Sequence, residues 1–377
     1  MLKKSVNIED LRRGARRRLP RFIFDYVDGG AEDEISLRGN RAAFDRIALR
    51  PRTLVDVAQR SLACTLLGRP VALPLVIGPT GLGGYYWPQG DLAMAKAAAK
   101  AGAIYALSTA SNHPLEAIAA EAGGRLWFQA YMFRDRKVSE ALIRRAAAAG
   151  YEALVVTSDF PIPGKRERDW RNGLTTPPAL TLRTKLEMLT HLRWVLQVLP
   201  TRPAFVNVAA ELPPGSHAPA YVSTQVDPAL NWDDFKRLRD LWPGKLLLKG
   251  VLRADDAVRA ADLGADAVVL SNHGGRQLDG AVSALAALPE VVAGLGGRAE
   301  ILVDGGVRRG SDLVKARACG AVGVIAGRAA LYGLACAGEA GVARTIAILR
   351  EEAERTLALI GCPRLEDVSG DFLAAAS

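Results

Sequence analysis

The run Ser271-Asn272-His273-Gly274-Gly275-Arg276-Gln277-Leu278-Asp279 sets an imidazole and a guanidinium three residues apart, with two glycines between them. An imidazole takes up a proton near neutral pH. A guanidinium forks onto a carboxylate through two parallel hydrogen bonds. Glycines let the backbone bend sharply and approach a ligand closely. The set therefore points to a small acid that gives up a proton. A turn whose His and Arg cap neighbouring backbone is the competing reading, and it would suffice for a lone histidine.

Such a pair needs a rigid base. Ala267–Leu270, just before it, reads as a buried strand, which delivers the pair to a strand C-terminal end. Similar apolar runs occur at Leu73–Ile77, Tyr105–Leu107, Leu126–Ala130, Ala153–Val156, Leu246–Leu248, Ile301–Val303 and Val322–Ile325. Alanine-rich helical stretches lie between them at Asp91–Ala101, His113–Ala120, Val138–Ala149, Ala254–Leu263 and Ser311–Cys319. The alternation predicts an α/β fold, a (β/α)8 TIM barrel. An open doubly wound sheet is the rival, but no Gly-x-Gly-x-x-Gly opens the first unit. The expected organisation is a single domain over 1–377. Within it, a helical extension covers 1–65, the barrel 70–335 and a C-terminal helical segment 336–377. Asn7 or Asp10 can cap a first helix through Arg18, and Pro20 can begin the next segment.

A barrel places its chemistry just past the strand C-termini. Those positions hold Thr80-Gly81, Ser108, Gln129 with Tyr131, Thr157 with Asp159, Lys249, His273, Asp304-Gly305-Gly306 and Gly327-Arg328. Nearly every one is polar or glycine. The stretches around Asp304, Gly306 and Arg308, and around Gly327 and Arg328, offer backbone amides, a helix start near Ser311 and guanidiniums, which together make a phosphate cradle. Loop glycines with solvated arginines are the alternative for either stretch alone. No side chain carries electrons, so redox chemistry at a hydroxy acid requires a cofactor. Flavin mononucleotide fits one phosphate, a barrel and no dinucleotide fingerprint. Lys249, ending an apolar run, would set a positive charge near N1 of the flavin.

The net charge of +9 fits an anionic substrate, an anionic membrane surface or nucleic acid. No nucleic-acid motif accompanies the scattered basic residues, so nucleic acid ranks last. The four cysteines lie far apart, with neither metal-ligand spacing nor a disulfide framework. That pattern, and an N-terminus without a signal-peptide stretch, leads us to expect a cytoplasmic protein that holds no metal. Residues 160–244 are too long for a plain connection. Within them Leu182, Leu186, Leu189, Leu192 and Leu196 form a helical stripe, with Arg183, Lys185, Arg193 and Trp194 beside it. Two readings stay open: a lid packed on the barrel mouth, or a helix in the membrane interface through 170–220, on the inner face of the cell membrane. The Pro-, Ala- and Ser-rich remainder reads as mobile.

The nonapeptide, together with Pro79-Thr80-Gly81-Leu82, Trp87-Pro88, Leu107-Ser108-Thr109-Ala110-Ser111-Asn112, Leu126-Trp127-Phe128-Gln129 and Arg166-Glu167-Arg168-Asp169, resembles the FMN-dependent L-2-hydroxy-acid oxidase and dehydrogenase family, above all its mandelate and lactate dehydrogenases. The resemblance runs from Tyr26 to about Cys362. It implies that His273 is the base, that Asp159 orients it, and that Arg276 clamps the carboxylate with help from Tyr26. It implies that Tyr131 contacts the substrate hydroxyl and that Arg166 is a second cation. By the same resemblance Thr80, Gly81, Ser108, Gln129, Thr157 and Lys249 surround the flavin ring and ribityl chain. Asp304, Gly306, Arg308, Gly327 and Arg328 then hold ribityl and phosphate. Tyr26 read by itself would be a packing aromatic. Oxidases of the family usually carry alanine where this chain has Gly81, so the resemblance implies an acceptor other than oxygen, a membrane quinone. It also implies a homo-oligomer, a tetramer. An oxidase making hydrogen peroxide and a non-catalytic phosphate-binding barrel are the alternatives.

Overall fold

A computed structural model describes residues 2–174, 179–201 and 203–374. An antiparallel hairpin, β1 (Cys64–Leu66) and β2 (Arg69–Val71), precedes eight parallel strands. These are β3 (Leu75–Ile77), β4 (Ile104–Ser108), β5 (Arg125–Ala130), β6 (Ala153–Thr157), β7 (Lys245–Val251), β8 (Ala267–Leu270), β9 (Glu300–Asp304) and β10 (Gly323–Ala326). They close into a barrel, β10 pairing with β3. Both faces of each strand are covered, which is why the sequence shows nearly unbroken apolar runs instead of alternation. Val76, Ile104, Trp127, Val155, Leu247, Val269, Leu302 and Ile325 fill the lumen, and Leu66, Leu67 and Val71 of the hairpin belong to the same cluster. The hairpin leaves no mark in the sequence, because its two strands of three residues are too short to show a period.

Register decides what meets at the mouth. Ser108 pairs with Gln129, and Thr157 with Lys249. The β7–β8 register shifts between Lys249 and Val251. Gly250 at that bulge has φ +104°, and a Cβ there would lie 2.6 Å from the Asp159 Cβ. Only glycine lets Asp159 come this close to β7.

The N-terminal extension forms helices Ile8–Arg18, Arg21–Asp28 and Ile35–Arg46. Asn7 caps the first through the Asp10 amide, and Pro20 starts the second. The second helix ends at Asp28, whose buried carboxylate accepts from Arg12 Nε (2.6 Å) and Nη2 (2.8 Å), Tyr332 Oη (2.8 Å) and Arg168 Nη1 (3.4 Å). One residue thus ties the first helix, the C-terminal helical segment Arg328–Ile360 (kinked at Ala337–Gly338) and the insertion to the segment that carries Tyr26.

The long segment between β6 and β7 carries helices Glu167–Arg171, Leu182–Met188, Leu192–Val198, Val206–Ala209, Ala218–Thr224 and Trp232–Leu241. The proline-rich part is therefore organised rather than featureless. Parts of the 170–220 stretch, 175–178 and 202, lie outside the described residues, as do 375–377 of the C-terminal segment. The leucine stripe is not the packed face. Leu182, Leu186, Leu189, Leu192 and Leu196 are 56–74% exposed, while Trp194 and Val198 are buried. Trp194 packs edge-on against Phe22 and donates from Nε1 to the Tyr85 carbonyl at 2.7 Å.

Asp28→Ala would leave Arg12 without its bidentate partner and Tyr332 without an acceptor. We expect a loss of about 1.5–3 kcal/mol in urea-unfolding stability, the range for a hydrogen bond to a charged group. An unchanged midpoint would remove Asp28 from this junction.

Candidate active site

His273 sits at φ +58°, followed by Gly274 at +64° and Gly275 at +73°. Three consecutive left-handed residues turn the chain sharply off β8, a conformation that costs a non-glycine residue energy. Side chains at the next two positions would collide: a Cβ on Gly274 falls 2.7 Å from Arg328 Nη1, and one on Gly275 2.5 Å from the Leu37 amide nitrogen. The turn is held by the Ser271 hydroxyl, which accepts from the His273 amide at 2.9 Å, and by Asn272 Oδ1, which accepts from the Gly275 amide at 3.0 Å.

His273 Nδ1 lies 2.9 Å from Asp159 Oδ1. Burial pushes the Asp159 carboxyl up, yet Lys249 and His273 hold it below the ordinary carboxylate range. An ionised carboxylate only accepts, so Nδ1 carries the proton and Nε2 keeps its lone pair. Burial pushes the imidazole below its ordinary value; Lys249 and Arg276 act the same way and Asp159 opposes them. The free imidazole is therefore a neutral base at pH 7. Phe160 packs against it at 5.7 Å between ring centroids, and Tyr131 packs on Phe160 at 5.0 Å. Lys249 is buried, donates to Ser271 Oγ at 2.9 Å, and lies 3.2 Å from Asp304 and 3.7 Å from Asp159. Burial would lower its pKa, but the two carboxylates outweigh that and raise it.

Across from the histidine stand two guanidiniums. Arg276 Nη1 donates to the carbonyls of Tyr26 (2.6 Å) and Gly29 (3.1 Å), which leaves its other edge without a partner among the described residues. Arg166 Nε donates to the buried Asp169 at 2.8 Å, and its two outer nitrogens are likewise free. Both guanidiniums stack over the Tyr26 ring, at 4.8 Å and 5.4 Å from its centroid. Tyr26 and Tyr131 hydroxyls take no protein partner among the described residues, and burial raises the Tyr131 pKa, so it remains a donor.

Around them runs a polar ladder. Gln129 Oε1 accepts from Ser108 at 3.1 Å, and its Nε2 donates to Thr157 at 3.0 Å. Thr80 Oγ1 is buried with no hydrogen-bond partner. At the far end Arg328 donates to the carbonyls of Val27, Gly29 and Gly274 at 2.7–2.9 Å. Burial, with Arg276 and Arg308 nearby, pulls its pKa down to about 9. It is a cation short of an anion. One cavity of about 1050 Å³ is lined by His273, both guanidiniums, the two tyrosines, the polar ladder and Arg328, at or above the ~300–1,000 Å³ of a typical ligand pocket.

Residues 15–375 match the model of the FMN-dependent dehydrogenase family. The chain belongs to that family. It is 45% identical over 375 residues to the (S)-mandelate dehydrogenase of Pseudomonas putida, covering 99% of this chain and 95% of the relative. It is 46% identical over 373 residues to an L-lactate oxidase of a Nostoc species, covering 98% of each. A crystal structure of the monotopic membrane protein (S)-mandelate dehydrogenase superposes with a TM-score of 0.94 at 44% identity, covering 98% of this chain and 99% of that one.

The cavity suits the family's cofactor on its own chemistry. Thr80 offers an unpaired hydroxyl, Lys249 a buried charge, and Arg308 with Arg328 a cationic end for a phosphate. All site residues expected from the sequence lie on this cavity except Asp159, which stands behind His273. Asp169, Phe160 and Ser271 were missed. Asp169 was legible in principle, since it stands one helical turn after Arg166; the other two carry no signal apart from their neighbours.

Replacing Arg328 with Met should weaken FMN binding to the apoprotein roughly 10–150-fold, from about 1.5–3 kcal/mol per charged hydrogen bond. Riboflavin, which lacks the phosphate, should lose far less in the same fluorescence titration. Equal losses for both would place the phosphate elsewhere.

Proposed function

We propose that this enzyme oxidises an L-2-hydroxy acid of the mandelate or lactate type to the 2-oxo acid and passes the electrons to a quinone at a membrane surface. The observation that carries the reading is the neutral His273–Asp159 pair facing two guanidiniums with free edges in one cavity. Bound FMN supplies the two-electron acceptor. Arg276 receives the substrate carboxylate bidentately, and the Tyr26 hydroxyl donates to it. Tyr131 orients the 2-hydroxyl, and His273 Nε2 takes a proton from the substrate. Asp159 then faces an imidazolium, and Arg166 stabilises the negative charge that develops on the substrate. Lys249 would lie along the flavin N1 edge. Thr80, Ser108, Gln129 and Thr157 would meet its polar edge, and Asp304, Gly306, Arg308, Gly327 and Arg328 its ribityl phosphate.

The acceptor reading rests on Gly81 and on the leucine face. A Cβ at Gly81 would meet the Ala110 Cβ at 3.1 Å, so an alanine here would need Ala110 to shift by a few tenths of an ångström. The exposed leucines of 182–199, with Arg183, Lys185 and Arg193 beside them, suit peripheral contact with a bilayer interface. No helix among the described residues is long and apolar enough to cross a membrane. The likeness to an L-lactate oxidase keeps a peroxide-forming oxidase as the second reading. A tetramer is the assembly we propose from the family resemblance, checked by sedimentation velocity.

Anaerobic bleaching of the flavin by a panel of (S)-2-hydroxy acids, followed by air or a soluble quinone, tests the reading. Fast quinone turnover with sluggish reoxidation in air is expected; the reverse, with peroxide, would establish the oxidase. His273→Gln should stay yellow and lose about 10²–10⁴-fold in bleaching rate. The working form is neutral His273, whose pKa is depressed below 6.5. The rate should therefore hold down to pH 6.5 and fall only below it. Asp159→Asn removes the group that raises that pKa, so its acid limb should move lower still, at a reduced plateau. A limb centred above pH 7 would exclude His273 as the base. Leu186→Glu with Leu189→Glu should abolish co-sedimentation with phospholipid vesicles without changing bleaching.

A further inference from the structure

The cavity has two unlike parts. The polar part, at the strand ends, accounts for the cofactor and the acid. The other is roofed by the insertion, through Pro203, Phe205, Ala218 and Val222, and walled by Leu82 and Tyr85. Phe205, Ala218 and Val222 are at most 9% exposed and present no hydrogen-bonding side chain. The hydrogen-bonding side chains that the insertion adds to this lining, Ser216, His217, Ser223 and Thr224, are half-buried or exposed.

This apolar lobe shares a wall with the exposed leucine face. Tyr85 donates from its hydroxyl to the Pro203 carbonyl at 3.4 Å, and its own carbonyl receives the Trp194 indole N–H. Trp194 is the buried side of the same helix that turns Leu192 and Leu196 outward. An amphipathic molecule can thus lie with its tail along the leucines and its head in the lobe. At the rim stands His217. Its Nδ1 accepts from the Ala220 amide at 3.2 Å, so the proton sits on Nε2, which has no partner among the described residues. The side chain is exposed and can regain a proton from water.

We propose that this lobe is the site of the electron acceptor: a benzoquinone-type ring seated between Phe205, Ala218 and Val222, one carbonyl facing His217 Nε2–H. The proposal rests on the dehydrogenase reading above. The chemistry balances. The hydroxy acid loses its α C–H and hydroxyl O–H bonds, two electrons and two protons in all. The quinone gains two electrons and two protons and becomes a quinol with two new O–H bonds. One of the acid's protons would leave to solvent through His273 and the other would travel with the electron pair by way of the bound cofactor to the quinone, whose second proton enters from solvent through His217.

The test uses the FMN-loaded full chain. An azido-benzoquinone with a short alkyl tail, photolysed on the protein, is expected to label a peptide within 203–224. In stopped flow, enzyme reduced by one equivalent of hydroxy acid is mixed with decyl-benzoquinone. Ala218→Trp fills the lobe and should slow reoxidation by about 10-fold or more relative to its effect on bleaching. His217→Ala should slow reoxidation by about 10²-fold, the lower range for a lost proton donor. Label confined to 182–199, with reoxidation unchanged in both variants, would overturn the site. So would an Ala218→Trp enzyme that discriminates mandelate from lactate in bleaching while its quinone rate is unchanged, since the lobe would then hold the acid's side chain. If wild-type enzyme is reoxidised by air and by no quinone, the dehydrogenase reading itself fails, which is a different result from any of these.

Discussion

The structure is organised around positive charge buried at the mouth of a barrel. Arg166, Lys249, Arg276, Arg308 and Arg328 converge there, against the carboxylates of Asp159, Asp169 and Asp304. Five cations facing three anions leave an excess of two. Burying such charge is costly unless it is paired or hydrogen-bonded. Peptide carbonyls supply part of the compensation: those of Tyr26, Val27 and Gly29 take four hydrogen bonds from Arg276 and Arg328. Carbonyls hold guanidiniums in place without neutralising them. The site therefore keeps its attraction for a phosphate and a carboxylate, and the depressed pKa of Arg328 records the unmet demand.

That arrangement explains why an extension outside the barrel is part of the site. The 26–30 stretch can reach the arginines only if it lies flat on the histidine loop, and glycine makes this possible. A Cβ on Gly30 would sit 2.8 Å from the Gly275 carbonyl oxygen, while the Ala31 amide donates to that same oxygen at 2.9 Å. The Asp28 junction then fixes the stretch from three directions. His273 itself is strained, and the strain is offset by Ser271, Asp159 and the loop contacts around it. Strained residues of this kind persist where the surroundings over-determine them.

The barrel was legible because parallel strands buried on both faces write themselves as apolar runs, and because the polar groups stand just past them. Ser108, Gln129, Thr157 and Lys249 needed only a strand and an end to be placed. What the sequence left open depended on contacts between distant segments. The pairing of Arg166 with Asp169, the Phe160 shield on His273 and the carbonyl clamp from 26–29 involve no periodic pattern. The leucine stripe was plain as a period, but a period does not say which way the helix faces. Trp194 settles it, since a large indole with one N–H gains more from burial and a carbonyl partner than any single leucine.

The fixed and variable parts of the chemistry are divided accordingly. His273, Asp159 and Lys249 stand at or just past strand ends, where strand pairing fixes their positions. The second cation does not: Arg166 opens the insertion, anchored by Asp169 within the first helical turn of that segment. Its position over Tyr26 therefore depends on how the insertion seats on the barrel. The same segment turns leucines outward and an apolar lobe inward. A single stretch of chain thus joins the exposed leucine face to Arg166, the guanidinium that stacks over Tyr26. Anything that reseats the insertion moves both, while the polar groups at the strand ends stay as they are.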